Sequence, residues 1–177
     1  PRLKGIIDLL EKRGLLGKVK FKCFGRGNLF DEEIAILAKK LNVIEIAFGI
    51  ETGSKKMLKY LKDNITLEED INAIRLCRKY RICPLGAFMI GMPHETEKDL
   101  KDTYEFIREY ISDRFVIAMM TPLPNTPIWD YAIKNNLIKE DLYEKEDRKF
   151  LDFDENYSLS LDVSPEILKE YWNKILS

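Results

Sequence analysis

The sequence predicts an α/β fold built on a parallel sheet, and three observations carry that expectation. Strand-sized apolar runs alternate with amphipathic helical segments. The strands recur roughly every 25 to 40 residues, the length that a right-handed parallel crossover needs. Two strands also end alike. Val43 to Phe48 runs into Gly49-Ile50-Glu51-Thr52-Gly53-Ser54, and Gly86 to Ile90 runs into Gly91-Met92-Pro93-His94-Glu95-Thr96. A glutamate and permissive glycines thus stand at one sheet edge, the edge where parallel α/β folds bind ligands.

The elements follow in order. Leu3, Ile6, Ile7 and Leu10 recur at helical spacing, so the chain opens in a helix over residues 1–13. It opens without a methionine, which suggests a piece of a longer protein. Gly14 and Gly17 punctuate, and residues 19–24 alternate as a strand. Asp31 caps a helix to about Leu41, with Ile34, Leu37, Ala38 and Leu41 on one face. After the strand from Val43 to Phe48 comes a short helix with Met57, Leu58 and Leu61. Thr66 and Glu69 form a capping box for a helix to about Tyr80, with Leu67, Ile71 and Ile74 inward. Leu85–Ile90 is the next strand, and residues 96–111 are a helix with Leu100, Tyr104, Ile107 and Ile111 inward. Residues 115–120 form the last strand and lead into the stiff Thr121–Pro127 loop and a helix to about Asn135. Residues 139–156 are charge-rich and read as a surface loop or tail. Ser164 and Pro165 open a final helix to about Leu176.

Hydrophobic residues are 45% of the chain and charged residues 33%, as in soluble globular proteins. The net charge of −1 offers no basic field for nucleic acid. The longest apolar runs fall short of the ~20 residues of a membrane span, and a cytoplasmic location is expected. Cys23, Cys77 and Cys83 match no usual metal spacing and read as reduced thiols, small apolar filler. His94, the single histidine, reads as a solvated turn residue. Met89, Met92, Met119 and Met120 read as core filler, and Trp129 and Tyr131 as rim packing.

Arg26, Glu51, Gly53, Ser54, Gly91, Pro93, Glu95, Thr121 and Asn125 all follow strands, so a parallel barrel gathers them on one face. Gly91 lets a flat ligand approach backbone N–H and C=O groups. Glu51 suits ribose hydroxyls or an ammonium group, and Arg26 a carboxylate. The plainer reading, strand-end acids that cap helices or pair with lysines, stands beside this one.

These residues resemble a known family. Residues 49–54, 88–96 and 121–127, with Phe24-Gly25-Arg26-Gly27-Asn28, are similar to the later half of radical S-adenosylmethionine (radical SAM) enzymes. The likeness is to the cobalamin-associated branch and its methylthiotransferase kin. It implies an incomplete six-stranded (β/α) barrel over residues 1–138, a TIM-like partial barrel of about four βα units, followed by a charged linker and helix over 139–177. It implies S-adenosylmethionine across the strand ends, with Gly91, Pro93 and the preceding strand along the adenine. Glu51 and Arg26 would lie near the ribose and methionine parts, with Glu95 supporting the loop.

The family's Cys-x-x-x-Cys-x-x-Cys loop is absent. The 4Fe–4S cluster ligands are therefore expected upstream, with this chain holding strands three to six. Its expected partners are the missing barrel half, a cobalamin-binding domain in the full-length protein, and an unknown substrate. His94 stands where many relatives have glycine, so the turn is expected to avoid positive φ. Two other readings remain open: a small α/β enzyme for phosphates or nucleotides, and a non-catalytic scaffold in which the half barrel forms a homodimer. No Walker-type loop and no GxGxxG favours the first of these.

Overall fold

The structure, a computed structural model, describes residues 2–112, 114–139 and 158–177. Helix α1 (Arg2–Lys12) precedes strand β1 (Phe21–Gly25), a short 3-10 turn (Gly27–Leu29) and helix α2 (Glu32–Lys40). Strand β2 (Val43–Glu51) leads to helices α3 (Lys55–Leu61) and α4 (Leu67–Lys79). Strand β3 (Cys83–Ile90) is followed by α5 (Glu97–Phe106), which runs on as a π turn (Ile107–Ile111). Strand β4 (Phe115–Met119), helix α6 (Pro127–Lys134) and helix α7 (Pro165–Leu176) complete the order. The four strands form one parallel sheet in the order β1-β2-β3-β4, the open arc of a barrel expected from the sequence.

Caps set most of the helix starts. Asp31, Ser54, Thr66, Thr96, Thr126 and Ser164 each accept a backbone N–H of their own first turn. Two strands differ from the sequence expectation. β1 starts at Phe21, leaving Val19 half exposed before it. β2 runs three residues past Phe48, because its pairing with β3 continues through Gly49↔Ala87 and, after a register shift, Glu51↔Phe88. The glutamate expected in a loop is therefore the last residue of a strand.

Strand alternation divides the sheet into two faces. Ile46, Phe48, Ile50, Phe88 and Ile90 point to the helices and are almost fully buried. The other face is open. Phe24 is 93% exposed there, and Val116 is exposed too. The tail beyond residue 157 returns to this body: Leu168, Tyr171 and Ile175 of α7 join the main core. Met57, Met92, Met120, Ala132, Ile138 and Leu159 form a second cluster over the C-terminal strand ends. Met92 and Met120 are thus core filler as expected, and Trp129 packs on this cluster. The expected loop over residues 139–156 lies, apart from Lys139, outside the described residues. No helix among the described residues is long and apolar enough to cross a membrane.

Candidate functional site at the C-terminal strand edge

The open face is graded along the strands. At its N-terminal end Glu45 holds Lys22 of β1 at 2.8 Å and Arg114, before β4, at 2.6 Å, while the Arg114 Nε donates to the Cys83 Sγ at 3.2 Å. Midway, strand register places the small residues Ala47, Gly49, Ala87 and Ala118 on the same face, interleaved with the larger Leu85 and Met89. At the C-terminal end stands Glu51, whose φ of 71° turns the chain out of the sheet. A Cβ on Gly49 would lie 2.7 Å from Glu51 Oε1, so glycine at 49 leaves room for the carboxylate to fold back over the strand end.

Lys62 fixes this carboxylate. Its Nζ donates to Glu51 Oε1 at 2.8 Å and to the Gly49 carbonyl at 2.6 Å. Arg26, just past β1, donates to Asn64 Oδ1 at 3.1 Å, and Asn28 Nδ2 donates to the Asn64 carbonyl at 2.8 Å. Arg26 and Glu51 are therefore both tied to the α3–α4 loop, at positions two residues apart.

Thr52-Gly53-Ser54 is buried and docks on α5. The Ser54 Oγ donates to Asp99 Oδ1 at 2.5 Å, and Thr103 Oγ1 meets Thr52 Oγ1 at 3.0 Å and accepts from Gly53 N at 3.1 Å. Lys56 Nζ spans Asp99 Oδ2 at 2.7 Å and the His94 carbonyl at 2.8 Å, joining the turns after β2 and β3.

The β3 turn is organised from within. Glu95 is fully buried, and its Oε2 accepts Gly91 N at 2.6 Å and Met92 N at 3.2 Å. The Ser160 Oγ donates to the Glu95 carbonyl at 2.6 Å, so the C-terminal segment braces the same turn. The Gly91 N–H, expected from the sequence to face a ligand, is thus occupied internally. Gly91 has φ of 80°, and Pro93 is buried beside it. The expectation that His94 avoids positive φ is corrected, since its φ is 62°. Its carbonyl is held by Lys56, and its ring lies edge-on to Tyr60 and Tyr131 at 5.7 and 5.3 Å. These contacts offset the left-handed backbone cost of about 1–2 kcal/mol.

Burial pushes the Glu95 carboxyl up to about 7, against the pull of the Gly91 and Met92 amides, with Asp99 adding to the rise and Lys56 opposing it. Because the folded value lies above the ordinary one near 4.5, this stabilisation is complete below pH 4.5 and is lost as pH rises through about 7. Glu95→Gln is expected to flatten this part of the stability profile, with its largest relative gain near pH 8. Urea unfolding of both proteins between pH 5 and 8 checks it; parallel profiles would contradict it.

The cysteines stay apart: Cys23 is exposed on β1, Cys77 is buried in α4, and Cys83 lies at the N-terminal end of β3. Burial, with Cys23 and Cys83 nearby, pushes the Cys77 thiol up to about 12. Among the described residues no cluster of histidine, cysteine or carboxylate side chains is placed to hold a metal ion. The described residues therefore do not fit an iron–sulfur cluster. Sequence reasoning missed Lys62, Asp99 and Thr103. Only Asp99 carried a signal, as the acid three residues after the Thr96 cap.

Comparison with known proteins identifies the family. The Radical SAM superfamily model matches residues 2–107. An uncharacterized methyltransferase of Pyrococcus horikoshii is 32% identical over 138 residues, 76% of this chain and 30% of that protein. The tRNA-2-methylthio-N(6)-dimethylallyladenosine synthase of Vibrio cholerae is 35% identical over 99 residues, 54% of this chain and 21% of that one. Among solved structures, the radical S-adenosylmethionine methyltransferase TsrM of Kitasatospora setae superposes with a TM-score of 0.66 at 20% identity, over 77% of this chain and 28% of TsrM. The chain spans less than a third of each of these proteins. With more than half of its residues matched by the family model, and with methyltransferase and methylthio-synthase relatives, the chain belongs to the radical SAM superfamily.

Proposed function

We propose that this chain forms strands three to six of a radical SAM barrel and supplies one wall of the S-adenosylmethionine site. The observation that carries the reading is the Glu51 carboxylate, folded back over Gly49 at the C-terminal strand edge and clamped by Lys62. Glu51 binds the ribose hydroxyls or the ammonium group, and Arg26 the carboxylate of the amino-acid end. The end of β3, with Gly91 and Pro93, lies along the adenine, and Glu95 keeps that turn in shape. S-adenosylmethionine supplies the 5′-deoxyadenosyl group for this superfamily's radical chemistry. The cluster, cobalamin and the substrate are assigned to the rest of the full-length protein, and the missing barrel strands pair along the free edge of β1.

The test is calorimetry of the chain with S-adenosylmethionine and with S-adenosylhomocysteine. Binding is expected, weakened about tenfold or more by Glu51→Ala, the loss of roughly one charge-assisted hydrogen bond. Equal affinity in the variant, or displacement by inorganic phosphate, would replace this reading with the phosphate-binding one.

A further inference from the structure

We propose that Asp70 is a proton-linked positioning residue of this site: its buried carboxyl backs the Arg26 turn and releases its proton to solvent when a ligand engages Glu51. The inference rests on the reading of Glu51 as a ligand residue.

Asp70 is the fourth residue of α4 and is 1% exposed. Neither of its carboxyl oxygens has a hydrogen-bond partner, and the Asn28 Oδ1 nearby in sequence to Gly27 is likewise buried and unpartnered. The packing is close. A Cβ on Gly27 would lie 2.2 Å from Asp70 Oδ1 and 2.9 Å from its Cα, so the Arg26–Asn28 turn rests directly on this carboxyl. An ionised carboxylate without donors is costly in such a place, whereas the neutral acid is tolerated. Burial pushes Asp70 up to about 7; Lys62 opposes the rise, and Glu69 and Glu51 add to it.

The surrounding charges define the coupling. The charges that act on Asp70 are those of Lys62 from the loop after α3, Glu69 on its own helix and Glu51 at the end of β2. The 3-10 turn packed across α4 carries Arg26 at its start, with its guanidinium on Asn64. β3, also packed on α4, brings no charged residue. The ionic contacts of α4 with α2 and with the π turn, Lys79 with Glu32 and Arg78 with the Tyr110 carbonyl, sit at its far end, more than two turns from Asp70. Lys62 is therefore held by Glu51 at 2.8 Å while its charge also acts on Asp70, with which it makes no hydrogen bond.

A ligand that neutralises Glu51, through an ammonium or sulfonium charge, removes one negative neighbour and leaves the Lys62 charge uncompensated. Both changes favour the Asp70 carboxylate. Its O–H bond breaks, the electron pair stays on oxygen, and the proton goes to buffer. By linkage the ligand binds more tightly as pH rises through about 7.

The carboxyl carbon resonance of Asp70 gives the direct test, without any ligand. Glu51→Gln mimics neutralisation and is expected to lower the Asp70 midpoint by about half a unit or more, and Lys62→Met to raise it. Calorimetry with S-adenosylmethionine at pH 7 in phosphate and in Tris then reads proton release, which Asp70→Asn is expected to abolish together with the pH dependence of affinity. A midpoint unmoved by both substitutions overturns the proposal, as does release that persists in Asp70→Asn. Shifted midpoints with no binding of the cofactor would sink the ligand reading of Glu51 and leave the Glu51–Lys62–Asp70 coupling standing.

Discussion

Gly53→Val is expected to prevent the chain from folding to a soluble native state. The φ of Gly53 is not in the left-handed region, so the demand at this position is for space. A Cβ here would lie 2.5 Å from the Asp102 carbonyl oxygen, 2.5 Å from Phe106 Cβ and 2.8 Å from Thr103 Cα. Two of these three are backbone atoms of α5, which cannot swing aside as a side-chain tip can. To admit a side chain the helix must lift from the end of β2, breaking the Gly53–Thr103 and Ser54–Asp99 hydrogen bonds as it goes. Overpacking costs about 1–3 kcal/mol, and each buried polar group left unpaired adds about 1–3 kcal/mol. Together these approach the whole stability of a typical domain. Even Gly53→Ala should cost several kcal/mol. Gly5, in α1 with nothing within 4 Å of its missing Cβ, is the control, and Gly5→Ala should stabilise slightly. Circular dichroism and urea unfolding of the three variants decide it; a native-like Gly53→Val would show that α5 is free to move.

Asp99→Ala is expected to cost about 2–4 kcal/mol, mainly from the buried Ser54 and Thr96 donors that lose their acceptor, because the paired Lys56 is half exposed. Asp99 is 3% exposed and accepts from Ser54 Oγ, Lys56 Nζ, Thr96 N and Thr96 Oγ1. Its loss leaves the Ser54 hydroxyl and the Thr96 N–H and hydroxyl without this acceptor, while Lys56 keeps the His94 carbonyl. Burial by itself would raise this carboxyl, but the bonds from Lys56, Ser54 and Thr96 outweigh it and bring the group down to about 2. The sign is therefore opposite to that of Glu95. Its stabilisation is present above the ordinary aspartate value near 3.8 and is lost as pH falls through about 2. Acid unfolding of the wild type should show this limb, and Asp99→Asn, which keeps one acceptor oxygen, should lose the limb while retaining part of the stability at pH 7. An Asp99→Ala protein as stable as the wild type at pH 7 would contradict the network.

Because Lys56 links Asp99 to the His94 carbonyl, the same contacts couple the turns after β2 and β3. Ordering one turn therefore supports the other. The left-handed His94 follows from that arrangement. Sequence reasoning excluded this conformation on steric grounds, and the Lys56 bond with the flanking tyrosine rings supplies what a glycine would otherwise provide.

The order of strands and helices was legible because its causes are local. Apolar periodicity marks which face of an element is buried, and Thr66, Thr96 and Ser164 announce helix starts by satisfying amides within their own turn. The Glu51 and Gly91 motifs placed the site at the C-terminal edge for the same reason: a parallel crossover brings every strand end to one side. What opposes each motif was not legible. Ser54 meets Asp99 across 45 residues of sequence, and Gly27 meets Asp70 across 43. Periodicity names a face, and it carries no record of which distant side chain packs there. By itself, then, the sequence determined the parallel architecture, the helix caps and the edge that holds the candidate residues. Only the tertiary structure decided that Glu95 serves its own turn, that Lys62 clamps Glu51 back over Gly49, and that Asp70 lies unpaired against Gly27, because these outcomes depend on the close approach of segments that the crossovers bring together.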